Sequence, residues 1–274
     1  MTALLNKRIL LSLGVIVFVV AATLGATGAF FSDTETSTGN TFTAGAIDLK
    51  VDNESYYNGV LNQDTTWELK DLTIEKFFNF LDLKPGDRGE DTISLHVNNN
   101  DAYVCADVKL TSNDDNGITE PERQDGDVSD GAGNGELAQA VNFMWWADDG
   151  DNVLENNETP LPSGTLASAS ATSSVALADS QTNIWTDEGG PLPGGSERFI
   201  GKAWCFGAIS AAPLEQDGMG TTSPRTPANS TGGIVCNGSQ VNNITQTDSL
   251  TADVSFRAVQ SRNNPGFLCS PRSA

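Results

Sequence analysis

"SLTADVSFRAVQSRNN", residues 249–264, decides the fold class of this chain, because apolar or small side chains alternate there with polar ones. The alternating positions are Leu250, Ala252, Val254, Phe256 and Ala258. A period of two places successive side chains on opposite faces of an extended strand. This segment is therefore predicted to be a β-strand with one face turned towards a core.

Further strands are predicted on both sides of a long polar middle. "NTFTAGAIDLKVD" (40–52) has the composition of a first strand, and "EDTISLHVNN" (90–99) and "YVCADVKLT" (103–111) alternate. "RFIGKAWCFGAI" (198–209) is apolar on both faces, which favours a central strand. "GELAQAVNFMWW" (135–146) is predicted to be a short helix, because its apolar residues recur at helical spacing.

These segments predict a mainly β chain: an antiparallel jelly-roll sandwich with long loops and one or two short helices. The sandwich domain is expected to span residues 43–274. The polar stretches between the strands, rich in Gly, Asn, Asp and Ser, are typical of turns and loops.

The charge of the chain limits its partners. The 274 residues include 36 acidic and 15 Lys or Arg side chains, which gives a net charge of −21. Such a polyanion is a poor partner for nucleic acid and for anionic lipid surfaces. Cations are its natural partners, and we expect no nucleic-acid binding.

The N-terminus has the pattern of an export signal. Lys7 and Arg8 precede the apolar run "ILLSLGVIVFVVAATLGA" (9–26), and small residues follow. Residues 1–29 are therefore predicted to be a signal peptide cleaved between Ala29 and Phe30, so that the chain touches the membrane only before cleavage and ends outside the cell. A retained membrane anchor is the alternative, because the run is long enough to span a bilayer.

Four cysteines are expected to form two disulfides, since an even count in an exported chain favours pairing and no CxxC spacing suggests zinc. Three connectivities are possible. We favour Cys205–Cys236, which brackets one polar excursion, with Cys105–Cys269, which ties the C-terminus to a central strand. Five N-x-S/T sequons agree with an outer-surface location: Asn53, Asn157, Asn229, Asn237 and Asn243.

"WWADDGDNVLENNE", residues 145–158, places a dense run of carboxylates after two tryptophans. Calcium takes six to eight oxygen ligands, often from acids at alternating positions of one loop. The predicted calcium ligands are Asp148, Asp149, Asp151, the carbonyl of Val153, Glu155 and Glu158. A buried Trp145 or Trp146 would hold this loop on the sandwich. The alternative is a solvated acidic turn.

A second acidic run, "SNDDNGITEPE" (112–122), offers Asp114, Asp115, Glu120 and Glu122. These side chains are predicted either to bind their own calcium ion or to contribute ligands to the first one. A solvated loop is again the alternative, since runs of like charge are commonly exposed.

Three blocks in this order resemble the TasA/camelysin family of secreted fibre proteins: "ATGAFFSDTETSTGNTFTAGAIDLKVD", "LDLKPGDRGEDTISLHVNNN" and "VSFRAVQSRNNPGF". The acidic middle resembles the larger archaeal members. The resemblance implies a jelly roll that polymerises after cleavage by a dedicated signal peptidase. It also implies that residues 30–42, with Phe30, Phe31 and Phe42, insert as a donor strand into the next copy; a plain disordered terminus is the alternative.

The family also contains proteins described as metalloproteases, yet we expect no enzymatic activity here. Catalytic zinc usually needs histidine ligands and a base, and this chain has one histidine, His96, and no HExxH motif. His96 is expected on the exposed face of its strand. The predicted function is a subunit of an extracellular filament made of copies of itself. The main rival is a surface adhesin or sugar-binding module using Trp67 or Trp185, and a secreted protease is a distant third.

Overall fold

The computed structural model describes residues 32–36, 47–169, 173–186 and 188–269. The predicted leader (1–29), its cleavage site at Ala29–Phe30 and the aromatic residues Phe30, Phe31 and Phe42 lie outside these ranges. Among the helices in the described ranges, none is long and apolar enough to cross a membrane.

The described residues form a mainly β structure. In chain order the strands are β1 Ser32–Thr36, β2 Leu49–Tyr57, β3 Val60–Leu61, β4 Trp67–Lys70, β5 Arg88–Val97, β6 Ala102–Asp114, β7 Val141–Asp148, β8 Gly164–Thr165, β9 Ser173–Ala178, β10 Ser196–Phe206, β11 Ala208–Ala211, β12 Ile234–Asn237 and β13 Ser249–Gln260. The short helices are α1 Glu120–Gln124, α2 Leu137–Ala140 and α3 Leu166–Ala169, with 3₁₀ turns at Gly220–Thr222 and Asn243–Thr245.

Two antiparallel sheets make the sandwich, an arrangement compatible with the predicted jelly roll. The smaller sheet has the strand order β1-β13-β6-β9, and the larger has β3-β2-β5-β10-β7-β8, with β4 paired to β2. A third, two-stranded ribbon joins β11 and β12. The apolar segment that sequence placed centrally, β10, indeed lies between β5 and β7.

One apolar core joins the inner faces of the two sheets. It contains Leu95 and Ile200 from the larger sheet, and Val104 and Phe256 from the smaller one. The apolar row predicted for 90–99 is found, since Ile93, Leu95 and Val97 are fully buried in this core, while Thr92 and Ser94 on the opposite face are buried as well. Burying side chains of this size stabilises a fold by about 2 kcal/mol each, which explains why two half-polar sheets associate.

The helix predicted over residues 135–146 is wrong in its second half. The helical turn α2 ends at Ala140, and strand β7 begins at Val141. The strand pairs with β10 and buries residues on both of its faces. Its sequence therefore lacks the alternation of apolar and polar residues that identifies a strand with one exposed face. Leu137, Val141 and Met144 therefore matched a helical spacing by coincidence.

Glycine allows two large rings to lie flat on the larger sheet. A Cβ atom at Gly201 would overlap the indole of the buried Trp146, and one at Gly89 would overlap the indole of Trp204. Both glycines sit within strands, where a missing side chain usually weakens the sheet. Here the missing side chain makes room for the ring of a neighbouring strand.

Two disulfides close the fold: Cys105–Cys269, with 5.7 Å between the Cα atoms, and Cys205–Cys236, with 5.4 Å. These are the two pairs that the sequence favoured. The first ties the segment after β13 to strand β6, and the second holds the ribbon strand β12 against the end of β10. Each closes a loop of the unfolded chain and so stabilises the folded state by about 2–4 kcal/mol.

The larger sheet also buries charge on both faces. On the core face, the Lys202 ammonium lies 2.8 Å from an Asp91 carboxylate oxygen and 5.3 Å from the centre of the Phe77 ring. On the other face, Glu90 is 1% exposed, and its nearest cation is the Arg88 guanidinium at 3.4 Å. The pKa of Glu90 is raised from 4.5 to about 8, mainly by burial; Arg88 opposes the shift and the nearby Asp91 adds to it.

Glu90 should make stability depend on pH. Because its folded pKa is raised, the folded state holds a proton that the unfolded chain has lost between pH 4.5 and about 8. The free energy of unfolding should therefore fall as the pH rises through this window, by roughly 3–5 kcal/mol from this residue. Denaturant titrations at a series of pH values give the free energy of unfolding against pH. The Glu90→Gln variant should lack this part of the fall. Identical slopes in the parent and the variant would contradict the assignment.

Candidate metal centres

The acidic run 148–158 follows strand β7 and is held in place by its tryptophans. Trp146 is fully buried, and its indole N–H donates to Asp148 Oδ1 at 2.9 Å. Trp145 points to the opposite face of the strand, where it is 3% exposed in the main core. Both rings therefore anchor the loop, one on each side of the sheet.

Asp148 shapes the turn. Its Oδ2 accepts hydrogen bonds from the backbone N–H groups of Gly150 (3.0 Å) and Asn152 (3.1 Å), and both of these residues have positive φ, +109° and +61°. An aspartate that accepts from the backbone a few residues ahead nucleates such a turn. Burial raises the pKa of Asp148 to about 7. Its oxygens face the backbone and Trp146, which separates it from the carboxylates that meet beyond the turn.

Three of the predicted ligands converge after this turn. One carboxylate oxygen from each of Asp149, Asp151 and Glu155 lies within 4.8 Å of the others. Asp151 is 7% exposed and Glu155 is fully buried. Asp149 Oδ1, Asp151 Oδ2 and Glu155 Oε2 are buried without a hydrogen-bond partner. The pKa of Asp151 is raised to about 6, mainly by burial and also by the charge of Asp149, so these carboxylates are costly to keep ionised side by side.

A polar segment of the chain, 215–225, covers this cluster. The Arg225 guanidinium lies 2.7 Å from Glu155 Oε1, and the Gln216 side chain donates to Asp149 Oδ2 at 3.2 Å. The backbone N–H of Asp217 donates to Glu155 Oε1 at 3.3 Å. One guanidinium therefore neutralises part of the cluster, which leaves a net negative site lined by oxygen atoms.

The other two predicted members of this site have different roles. Glu158 accepts from the backbone N–H groups of Asp149 (3.0 Å) and Glu155 (2.9 Å), and burial raises its pKa to about 9. Val153 is fully buried, and its N–H donates to Asp151 Oδ1 at 3.0 Å. Glu158 thus ties the two ends of the loop together, and Val153 orients one of the three convergent acids.

The second acidic run also brings only some of its predicted residues together. Asp115 and Glu122 meet, and they are joined by Asp127. Asp114 instead accepts from the Gly133 N–H at 2.9 Å. Glu120 is exposed on α1, where it lies 3.3 Å from the Arg123 guanidinium. Asp114 therefore stabilises the loop and Glu120 lies on the helix surface, so neither joins the convergent acids.

Sequence reasoning missed three carboxylates at this second site. Asp115 also meets Glu136 and Asp248, so four acids lie beside it, counting Glu122 and Asp127, and the site has five acids in all. Asp248 is far away in sequence but precedes β13, whose first residue Ser249 pairs with Asp114 at the end of β6. Asp248 could have been predicted only from this strand register, and the register requires the strand pairing to be known.

Four of these acids are positioned by hydrogen bonds from backbone N–H groups or from the Ser129 hydroxyl. Asp115 Oδ1 accepts from the Gly117 N–H at 2.9 Å, and Asp127 Oδ1 accepts from the Ser129 N–H at 3.0 Å. The Ser129 hydroxyl also donates to Glu136 Oε1 at 3.0 Å. Asp248 Oδ2 accepts from the N–H groups at the start of α2, those of Glu136 and Leu137, at 2.7 and 2.9 Å. These hydrogen bonds thus fix the orientation of four carboxylates at the site.

Burial and mutual repulsion raise the pKa of two acids at this site. For Asp248 burial is the main cause, and Glu136 and Asp115 add to it, so that its pKa is about 6. For Glu136 burial again dominates, with contributions from Asp127 and Asp115. The second site, like the first, therefore disfavours a full set of negative charges unless a positive charge is present.

The histidine lies away from both acid clusters. His96 Nε2 is 3.0 Å from Glu197 Oε1, 3.7 Å from Asp52 Oδ2 and 3.0 Å from the Ser94 hydroxyl. Its side chain is 21% exposed, so it is less open than predicted. A serine–histidine–acid relay needs the acid and the hydroxyl on opposite ring nitrogens, whereas all three partners here face the same nitrogen.

Two surface predictions need correction. Asn53 is 2% exposed inside strand β2, and its amide donates to the Thr65 carbonyl, so a glycan cannot be attached there in the folded protein. Trp67 and Trp185 are half-buried and pack against the main core, which leaves neither as an open platform for a sugar. The other four sequon asparagines are exposed: Asn157, Asn229, Asn237 and Asn243.

Comparison with known proteins identifies a family for this chain. The family model described as camelysin metallo-endopeptidase matches residues 5–206, which end with the last residue of β10. The chain therefore belongs to the camelysin family, as its sequence blocks predicted. No curated protein and no solved structure matches it.

Proposed function

We propose that this member of the camelysin family is the structural subunit of an extracellular filament, a pilus-like or biofilm-matrix fibre that grows by strand donation between copies. In this proposal a dedicated signal peptidase cuts between Ala29 and Phe30 during export. Residues 30–42 then form the donor segment, in which Phe30, Phe31 and Phe42 supply apolar side chains to the accepting copy.

The observation that supports this proposal most strongly is the position of β1. This strand lies on the outer edge of β13, in the register Ser32↔Val259 to Thr36↔Ser255. Without β1, residues 255–259 of β13 would form an open edge, since their other side is paired with β6. An open edge strand is a template for another chain.

The same edge can be filled by the chain itself or by its neighbour. In the single chain β1 fills its own β13, while residues 37–46, between it and the rest of the fold, lie outside the described ranges. Exchange of an identical element between copies preserves its main-chain hydrogen bonds and therefore costs little free energy. High local concentration of the exported chain then favours the exchanged, polymeric form.

Calcium is the cation proposed for the cluster of Asp149, Asp151 and Glu155. Its donors are carboxylate oxygens, which suit a hard cation with many ligands. An ion bound there would offset the negative charge that Arg225 leaves unbalanced, and it would fasten the 215–225 segment to the loop after β7. In this proposal calcium and the two disulfides brace the subunit outside the cell.

A metallo-endopeptidase is the second candidate, because the matching family model carries that description. The donor set of this chain does not fit the usual catalytic zinc. The sequence has a single histidine, all four cysteines are in disulfides, and the convergent acids offer only oxygen. We derive no catalytic step from these residues.

The filament proposal predicts that the mature chain beginning at Phe30 polymerises at high concentration, whereas the chain lacking residues 30–42 stays monomeric. Electron microscopy and sedimentation measure both. The variant Thr36→Cys with Ser255→Cys joins two residues that face each other across the β1–β13 pair. Oxidised filaments of this variant should give a ladder of covalent oligomers on a non-reducing gel, because each donor lies on a neighbouring copy.

The Thr36→Cys single variant is the control for non-specific crosslinking and should give no ladder. Filaments that contain only crosslinks within one chain would overturn strand donation. Filaments formed by the truncated chain would do the same.

The calcium proposal predicts that a chelator lowers the melting temperature of the mature protein. At a calcium concentration of 100 times Kd, binding adds about 2.7 kcal/mol, or roughly 5–10 °C for a chain of this size. The chelator should lower the melting temperature of Asp151→Asn by less than it lowers that of the parent. The control Glu68→Gln removes an exposed charge on β4, and its melting temperature should fall as much as that of the parent. Equal falls in all three proteins would show that the cluster binds no stabilising ion.

The two candidate functions are separated by a protease assay. Casein digestion by the purified mature protein, with zinc supplied, should stay at the level of a heat-denatured control. Turnover that needs zinc, and that is lost in His96→Asn, would instead favour the endopeptidase.

A further inference from the structure

We propose that the end of the β6–β13 ladder carries a two-calcium centre in which Asp115 bridges both ions. The first ion would take Asp115, Glu122 and Asp127, and the second would take Asp115, Glu136 and Asp248. This centre shares no residue with the cluster of Asp149, Asp151 and Glu155, and it does not depend on the filament proposal.

The geometry supports a shared carboxylate. Within each group of three acids, one oxygen from each residue lies within 4.8 Å of the others, and Asp115 belongs to both groups. Paired metal ions in proteins lie about 3.5–4 Å apart and are commonly held by such a shared site. Asp115, at 2% exposure, is the residue that the two groups share.

Buried oxygen atoms without partners point to a missing ligand. In four of the five acids one oxygen already accepts a hydrogen bond from the backbone or from Ser129, and the other is buried with no partner. These unpartnered atoms are Asp115 Oδ2, Asp127 Oδ2, Glu136 Oε2 and Asp248 Oδ1. A buried acceptor without a donor costs roughly 1–3 kcal/mol, and more when charged, so four in one place require compensation.

The charge balance requires more than one ion. None of the ion pairs formed among the described residues involves Asp115, Glu122, Asp127, Glu136 or Asp248. Five ionised carboxylates carry a charge of −5. One divalent cation leaves −3 in a buried site, whereas two leave −1. Like charges this close repel strongly away from water, so two ions give the favourable arrangement.

The donor chemistry selects calcium among divalent cations. The five side chains offer only carboxylate oxygens, which are hard ligands, and no nitrogen or sulfur. Magnesium keeps several waters and usually takes one or two carboxylates, whereas calcium accepts six to eight oxygens in flexible geometry. A pair of groups with three carboxylates each therefore suits calcium.

The centre would fasten the insertion between β6 and β7 to the sandwich. Asp115, Glu122, Asp127 and Glu136 lie on the long excursion between β6 and β7, while Asp248 immediately precedes β13. Because Asp114 pairs with Ser249, the two ions would sit where β6 ends and β13 begins. They would hold both α1 and the start of α2 against the smaller sheet.

The test counts calcium ions bound per chain, by native mass spectrometry of the mature protein with both disulfides intact. At the free calcium concentration that just saturates the parent, Asp115→Asn should bind two ions fewer. Glu120→Gln, which removes an exposed acid of the same loop, should bind as many as the parent. A loss of one ion or of none in Asp115→Asn would overturn the bridged centre.

Single variants on the two sides keep the proposal testable even where Asp115→Asn does not fold. Asp127→Asn and Asp248→Asn should each lose one ion, and the double variant should lose two. A double variant that loses only one ion would mean a single-ion site and would overturn the proposal. Asp151→Asn reports separately on the other cluster, so the failure of one calcium proposal is distinguishable from the failure of the other.

Discussion

Repulsion among buried carboxylates is the constraint on which the rest of this structure depends. The chain carries 36 acidic and 15 Lys or Arg side chains, yet it places several acids where water cannot screen them. Lys202 balances Asp91 in the core, and Arg225 balances part of the charge around Glu155. Among the described residues no ion pair reaches the convergent acids around Asp115, which is why we propose that a bound cation balances them.

The two acid clusters lie where the sandwich meets its long polar loops. The main core joins the inner faces of the two sheets, but residues 115–136 and 215–225 lie beyond it and are mostly polar. Such segments cannot be held by apolar burial, since they have little apolar surface to bury. Hydrogen bonds between side chains and backbone hold these segments instead, and the ions that we propose would add to them.

Much of the sandwich was predictable from alternation, because β5, β6 and β13 each carry apolar residues at every second position of the sequence. Strand β7 was mistaken for a helix, since a strand buried on both faces loses its period of two and Leu137, Val141 and Met144 then fit a helical spacing. The acid clusters were found only in part, because a run of neighbouring acids says nothing about Asp248, which arrives through strand pairing. The sequon at Asn53 failed for a related reason: a local motif carries no information about burial.

The pairing of β1 with β13 determines how this edge would respond to mechanical load. The two strands are antiparallel and their register runs without a break from Ser32↔Val259 to Thr36↔Ser255. Tension applied along the strand axis therefore acts on all the cross-strand hydrogen bonds at once, in shear, rather than opening them one after another like a zipper. A joint of this kind resists pulling along its length far better than peeling at one end, whichever copy of the chain supplies the strand.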